Sequence, residues 1–175
     1  MKKLLAIAIS LSLVCSFSTV VLAENTTVLT TTVPDATYTL NIPADQEIPF
    51  GETQADIGAV TATNSSGFAV GKDLSVAVEY DAFTCDGIST KIPYELYLWS
   101  TSGGFISVAS GDTLVFKGKA DGTIGENVWV GKSGDLDRYA ENMVLTAKSE
   151  DWGKALAGEY SSTITFTAEV VVSEP

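Results

Sequence analysis

Tyr160, Ser162, Ile164, Phe166, Ala168, Val170 and Val172 alternate without a break with Ser161, Thr163, Thr165, Thr167 and Glu169. A repeat of two puts the first set on one face of an extended strand and the second on the other, whereas a helix needs apolar residues every three or four positions. The run therefore predicts a long closing strand, and the rest of the chain has the same texture. Tyr38, Leu40 and Ile42 alternate with Thr37, Thr39 and Asn41, and Leu74, Val76, Val78 and Tyr80 alternate with Ser75, Ala77 and Glu79. Weaker strands are expected over residues 57–63, 91–99, 113–117, 127–131 and 142–148. Clusters such as Asn64-Ser65-Ser66-Gly67, Cys85-Asp86-Gly87 and Ser102-Gly103-Gly104 separate them, and these residue types accept turn conformations. Helix is expected only as a short turn over residues 150–156, with Ser149 as its N-cap, Trp152, Ala155 and Leu156 on one side, and Gly158 as its stop. Short strands at this spacing predict an all-β chain: a single immunoglobulin-like antiparallel β-sandwich of about seven to nine strands, with one helical turn before the last.

The start of the chain reads differently. Lys2 and Lys3 precede an apolar run from Leu4 to Val14, and Val21-Leu22-Ala23 offers the small residues a signal peptidase reads. Residues 1–23 are expected to be a signal peptide. Ser16, Ser18 and Thr19 interrupt the run, so it is not expected to stay in a membrane as an anchor. Residues 24–34 (ENTTVLTTTVP) form an N-terminal extension that reads either as an edge strand of the same sheet or as a donor strand for a neighbouring subunit. Residues 35–175 form the sandwich domain. Past residue 23 only Cys85 remains of the two cysteines, so an exported domain of this kind has no intramolecular disulfide to rely on.

Charge and composition remove whole classes of function. The chain has 10 basic and 22 acidic residues for a net charge of −12, and losing Lys2 and Lys3 with the leader takes it to −14. An acidic chain lacks the basic footprint that a phosphate backbone needs, so nucleic acid is not an expected partner. With no histidine, imidazole bases, His-dependent triads and H-E-x-x-H zinc sites are all absent. Carboxylates such as Glu47, Glu52, Glu79, Asp81, Glu95, Asp112 and Glu126 are plentiful, but no local motif singles out a catalytic pair, and none is expected to be catalytic. Asp135, Asp137 and Glu141 offer oxygen donors within one loop, yet they do not follow the calcium-loop pattern D-x-[DN]-x-[DN]-G, and no metal or cofactor is expected.

Aromatic residues give a clearer lead. If Ile92, Tyr94, Leu96 and Leu98 face the core, alternation turns Glu95, Tyr97 and Trp99 outward, and Trp129 similarly opposes Val128 and Val130. Flat rings on a sheet face give large contact area at small entropic cost, which suits protein or sugar binding. Tyr97, Trp99 and Trp129 are the candidate ligand-binding residues.

The segment DWGKALAGEYSSTITFTAEV carries Trp152, Ala157, Gly158, Tyr160, Ile164 and Phe166 in a pattern that resembles the closing strand of bacterial extracellular β-sandwich proteins. These include spore-coat-U-like and pilin-like domains and small secreted sandwich proteins of Gram-positive anaerobes. The front half, through Ile48-Pro49-Phe50-Gly51 and Ile57-Gly58-Ala59-Val60, is similar in style. The resemblance implies fold rather than chemistry, and the paired cysteines of Gram-negative pilins are missing here. Elimination and resemblance together lead to a non-enzymatic binding or adhesion protein, secreted or associated with the cell surface, that engages an extracellular protein or glycan. Host or neighbouring glycoproteins, immunoglobulins among them, are the expected partners. The alternatives are a pilin-like subunit that self-associates through its N-terminal strand, and a carbohydrate-binding module using Tyr97, Trp99 or Trp129.

Overall fold

In the computed structural model, alternation becomes pairing. The structure describes residues 35–68, 71–100, 104–130 and 142–173, all within one unit, Val33–Pro175. The proposed signal peptide and the 24–33 strand lie outside the described residues. So do Asp135, Asp137 and Glu141.

The described residues form twelve strands: β1 (Thr37–Asn41), β2 (Gln54–Gly58), β3 (Thr61–Ser66), β4 (Lys72–Tyr80), β5 (Phe83–Cys85), β6 (Ile88–Ile92), β7 (Tyr94–Ser100), β8 (Gly104–Val108), β9 (Thr113–Gly118), β10 (Ile124–Val130), β11 (Asn142–Ala147) and β12 (Ile164–Val172). One four-stranded antiparallel sheet has the order β10-β9-β4-β12 and another the order β2-β11-β7-β8. Two-stranded pairs β1-β3 and β5-β6 complete the set. One helical turn, α1 (Ser149–Trp152), precedes β12. No described helix is long and apolar enough to cross a membrane.

The strand count exceeds the expected seven to nine because two predicted strands are each divided. The 57–63 segment breaks at Gly58, whose φ of +96° turns the chain out of the extended conformation at little cost for glycine. Its first half joins β11 and its second half joins β1. Pro93 divides the 91–99 segment, since it has no N–H for a ladder; β6 pairs with β5 on one side of it and β7 with β11 and β8 on the other. Strands β5 and β8 were not expected at all.

Other boundaries also move. The helix begins after Lys148 rather than Ser149 and stops at Gly153, leaving Leu156 61% exposed. Gly158 has a different role, because a Cβ there would lie 2.7 Å from Cys85 Sγ and 2.9 Å from Ile88 Cδ1; it lets the 153–160 segment press against the β5-β6 hairpin. The closing ladder starts at Ile164 rather than Tyr160, and its inward face is half-buried only as far as Ala168; Val170 and Val172 are exposed.

The core gathers the inward residues of both four-stranded sheets. Leu74, Val76 and Val78 of β4, Leu114 and Phe116 of β9, Leu96 and Leu98 of β7, and Met143 and Leu145 of β11 all belong to one buried cluster. Burying each such side chain contributes roughly 1.5–3 kcal/mol before its entropy is subtracted. Tyr80 ties the sheets together: its ring stacks on Tyr94 at 5.1 Å and its hydroxyl donates to the Val108 carbonyl at 2.9 Å.

Asp73, on the opposite face of central strand β4, is only 2% exposed. It accepts hydrogen bonds from Lys117 Nζ at 2.8 Å and the Gly118 N–H at 3.0 Å. Burial pushes its carboxyl upward, but hydrogen bonds from Lys117, Gly118 and Ser173 outweigh it and hold the pKa below the ordinary 3.8. A depressed folded-state pKa contributes stability that is present above the unfolded value and is lost as pH falls through the folded one. Asp73→Asn is therefore expected to lower unfolding free energy at neutral pH by about 1–3 kcal/mol in urea titrations. The gap to the parent should close as pH drops below 3.8.

Candidate functional site

The outer face of the β2-β11-β7-β8 sheet is built by default from its inner one. On β7, Tyr94, Leu96 and Leu98 are buried, so Glu95, Tyr97 and Trp99 take the other side. Register then brings their neighbours. Thr146 of β11 lies opposite Glu95, Val144 opposite Tyr97 and Asn142 opposite Trp99. On β8, Ser107 lies opposite Tyr97 and Phe105 opposite Trp99. Asp56 and Gln54 of β2 extend the same rows beyond Val144 and Thr146.

Three aromatic residues share the β7-β8 end of this face. Trp99 is 39% and Phe105 51% exposed, and the Phe105 ring meets Tyr97 edge-on at 6.0 Å and 77°. The Tyr97 and Phe105 rings support each other, and Phe105 and Trp99 leave apolar area open to a partner. Val144 beside them is only 7% exposed yet lies outside the main core cluster, as expected for a residue covered on the outer face by its flanking side chains.

Polar groups border the rings in fixed positions. The Tyr97 hydroxyl donates to Glu95 Oε2 at 2.5 Å, and the Glu95 acceptor raises the Tyr97 pKa above the ordinary 10.0. Asp56 accepts from the Gly58 N–H at 2.9 Å and from Asn142 Nδ2. The face can stack against flat or apolar surfaces and hydrogen-bond at its border.

Of the three aromatic residues expected to bind, the structure brings two together. Tyr97 and Trp99 share this face, while Trp129 stands opposite Val115 in the other four-stranded sheet, and its side chain lies outside the described residues. Phe105 was missed. Its signal is present in Gly104-Phe105-Ile106-Ser107-Val108, which alternates between two turn clusters but follows two glycines that read as loop.

Two further carboxylates, Asp112 and Asp121, have local structural partners. Asp112 accepts the Ala109 N–H at 2.8 Å. Asp121 accepts both the N–H and the hydroxyl of Thr123, at 2.9 and 2.7 Å, and those bonds lower its pKa. Among the described residues no group of three or more His, Cys, Asp or Glu is placed to hold a metal ion. Compared with protein-family models, curated proteins and solved structures, the chain matches none.

The Tyr97–Glu95 bond has its own signature. In a side-chain NMR titration, Tyr97 is expected to ionise above pH 10.0, and Glu95→Gln should bring it down toward that value while Tyr94, buried elsewhere, stays high. A Tyr97 titration unmoved by Glu95→Gln would remove the bond.

Proposed function

We propose that this chain is a secreted, non-enzymatic bacterial binding or adhesion protein that engages host or neighbouring glycoproteins through the outer face of the β2-β11-β7-β8 sheet. We further propose that its two four-stranded sheets form one immunoglobulin-like sandwich, a reading supported by their shared core and by the Tyr80–Tyr94 stack. The observation that carries the function is the open aromatic row of Tyr97, Trp99 and Phe105 on a rigid sheet, bordered by Glu95, Asp56 and Asn142. Rings anchored on strands lose little entropy on binding, which is why aromatic residues dominate interface hot spots.

A second reading has an observation of its own. Strand β12 pairs over nine positions with β4, without a bulge, and no described strand pairs with its other edge. It contains no proline and one charged residue, Glu169, so little blocks a further strand. That edge suits a structural subunit that polymerises by receiving residues 24–33 of a neighbour.

Surface plasmon resonance against an immobilised mucin and an immobilised immunoglobulin tests the first reading. Trp99→Ala and Phe105→Ala are each expected to weaken binding by about 2 kcal/mol, the scale of an aromatic hot spot, with melting unchanged. Full affinity in both variants would sink it. Light scattering across a concentration series tests the second: multimers that disappear when residues 24–33 are deleted are expected if strands are exchanged, and multimers that survive deletion would refute exchange.

A further inference from the structure

A groove of about 1050 Å³ lies away from the aromatic face, between the 45–50 loop and the 155–162 segment. Its floor is apolar, made by Phe83, Ile92 and Trp152. Trp152 is held in place because its indole N–H donates to the Glu52 carbonyl at 2.9 Å and its ring packs edge-on to Phe50 at 5.5 Å. The opposite wall is also tied down, with Gly158 pressed against Cys85 and the Leu156 N–H donating to the Tyr160 hydroxyl at 3.3 Å. At this size the groove sits just above the roughly 300–1,000 Å³ range of small-ligand sites, and its walls are formed before any partner arrives.

Its charge is one-sided. Asp45, Glu47 and Glu159 line it, and no lysine or arginine does. Neither ion pair of the described residues involves them; Lys154, the cation nearest in sequence to Glu159, is committed to Asp151 at 3.0 Å. Carboxylates around an aromatic floor attract a cation twice, by charge and by the negative faces of the rings. At the lips, Phe50 is 80% and Leu156 61% exposed. A small cation inside the groove would leave both in water, whereas an extended segment lying across it would cover them. A second copy is a poor occupant, since each chain carries a net charge of −12.

We infer that this groove receives a short extended segment of a partner protein in which a lysine or arginine stands beside an aliphatic residue. The basic side chain lies among Asp45, Glu47 and Glu159 over the Trp152 and Phe50 rings, and the aliphatic one packs against Phe50 and Leu156. The site is separate from the aromatic sheet face.

The test is fluorescence anisotropy of the purified protein with an acetylated, labelled hexapeptide alternating lysine and leucine, beside a counterpart alternating glutamate and leucine. The cationic peptide is expected to bind at least about ten-fold tighter and to lose that advantage in high salt. The exposed pair Glu47→Gln and Glu159→Gln should weaken it by a similar factor, Phe50→Ala should weaken it further, and Trp99→Ala should leave it unchanged. Equal binding of the two peptides, indifference to the glutamine pair, or dependence on Trp99 would overturn the inference. Competition by free lysine as effective as by unlabelled peptide would overturn a peptide segment as the occupant.

Discussion

Leu96 and Leu98 are almost wholly buried on β7, against Leu145 and Met143 on one side and Val108 and Ile106 on the other. Because strand side chains alternate, burying those two determines where Tyr97 and Trp99 go, and a slip of one residue would drive the aromatic pair inward and the leucines into water. Cys85 is a free thiol, so among the described residues cohesion rests on this packing and on hydrogen bonds. Losing a buried leucine to alanine costs about 2–5 kcal/mol, comparable with a whole domain's margin of roughly 5–15. The outward face is thus as firmly specified as the core behind it.

Alternation made much of this readable in advance. Strands β4 and β7 and the first half of β12 announce their inward residues, and the outward placement of Tyr97 and Trp99 follows from Leu96 and Leu98 with no knowledge of the sheet; in β11 the continuous Met143-Val144-Leu145 run hides which residues face the core. Partnership was not readable. Nothing local in residues 57–63 says that Gly58 sends one half to β11 and the other to β1, because that choice depends on strands far away in the chain. Phe105 was hidden for a simpler reason: β8 is short and follows a glycine pair, so its alternation was masked by turn chemistry. The groove combines residues 45–50, 83–92 and 152–162, three segments with no shared pattern, and only folding brings them together.

Buried and exposed carboxylates play different parts. Asp73 has its charge compensated by Lys117 and backbone, and it stabilises the central strand of one sheet. Most others are exposed, and in a chain with 22 acids and 10 bases they keep the surface negative. This field favours basic partner surfaces over the whole molecule, while the aromatic face supplies contact area and the groove supplies a place where charge and apolar area coincide. A binding protein of this design would be steered by its charge and held by its rings.

On the proposed function, a glycoprotein partner sits on the outer β7-β8 face. The most direct measurement is the backbone amide NMR spectrum of isotope-labelled protein titrated with a mucin or an immunoglobulin, read residue by residue. Signal loss is expected to concentrate over residues 95–99 and 104–108. Loss confined to β12 or to the 45–50 loop, with those two strands unaffected, would contradict it.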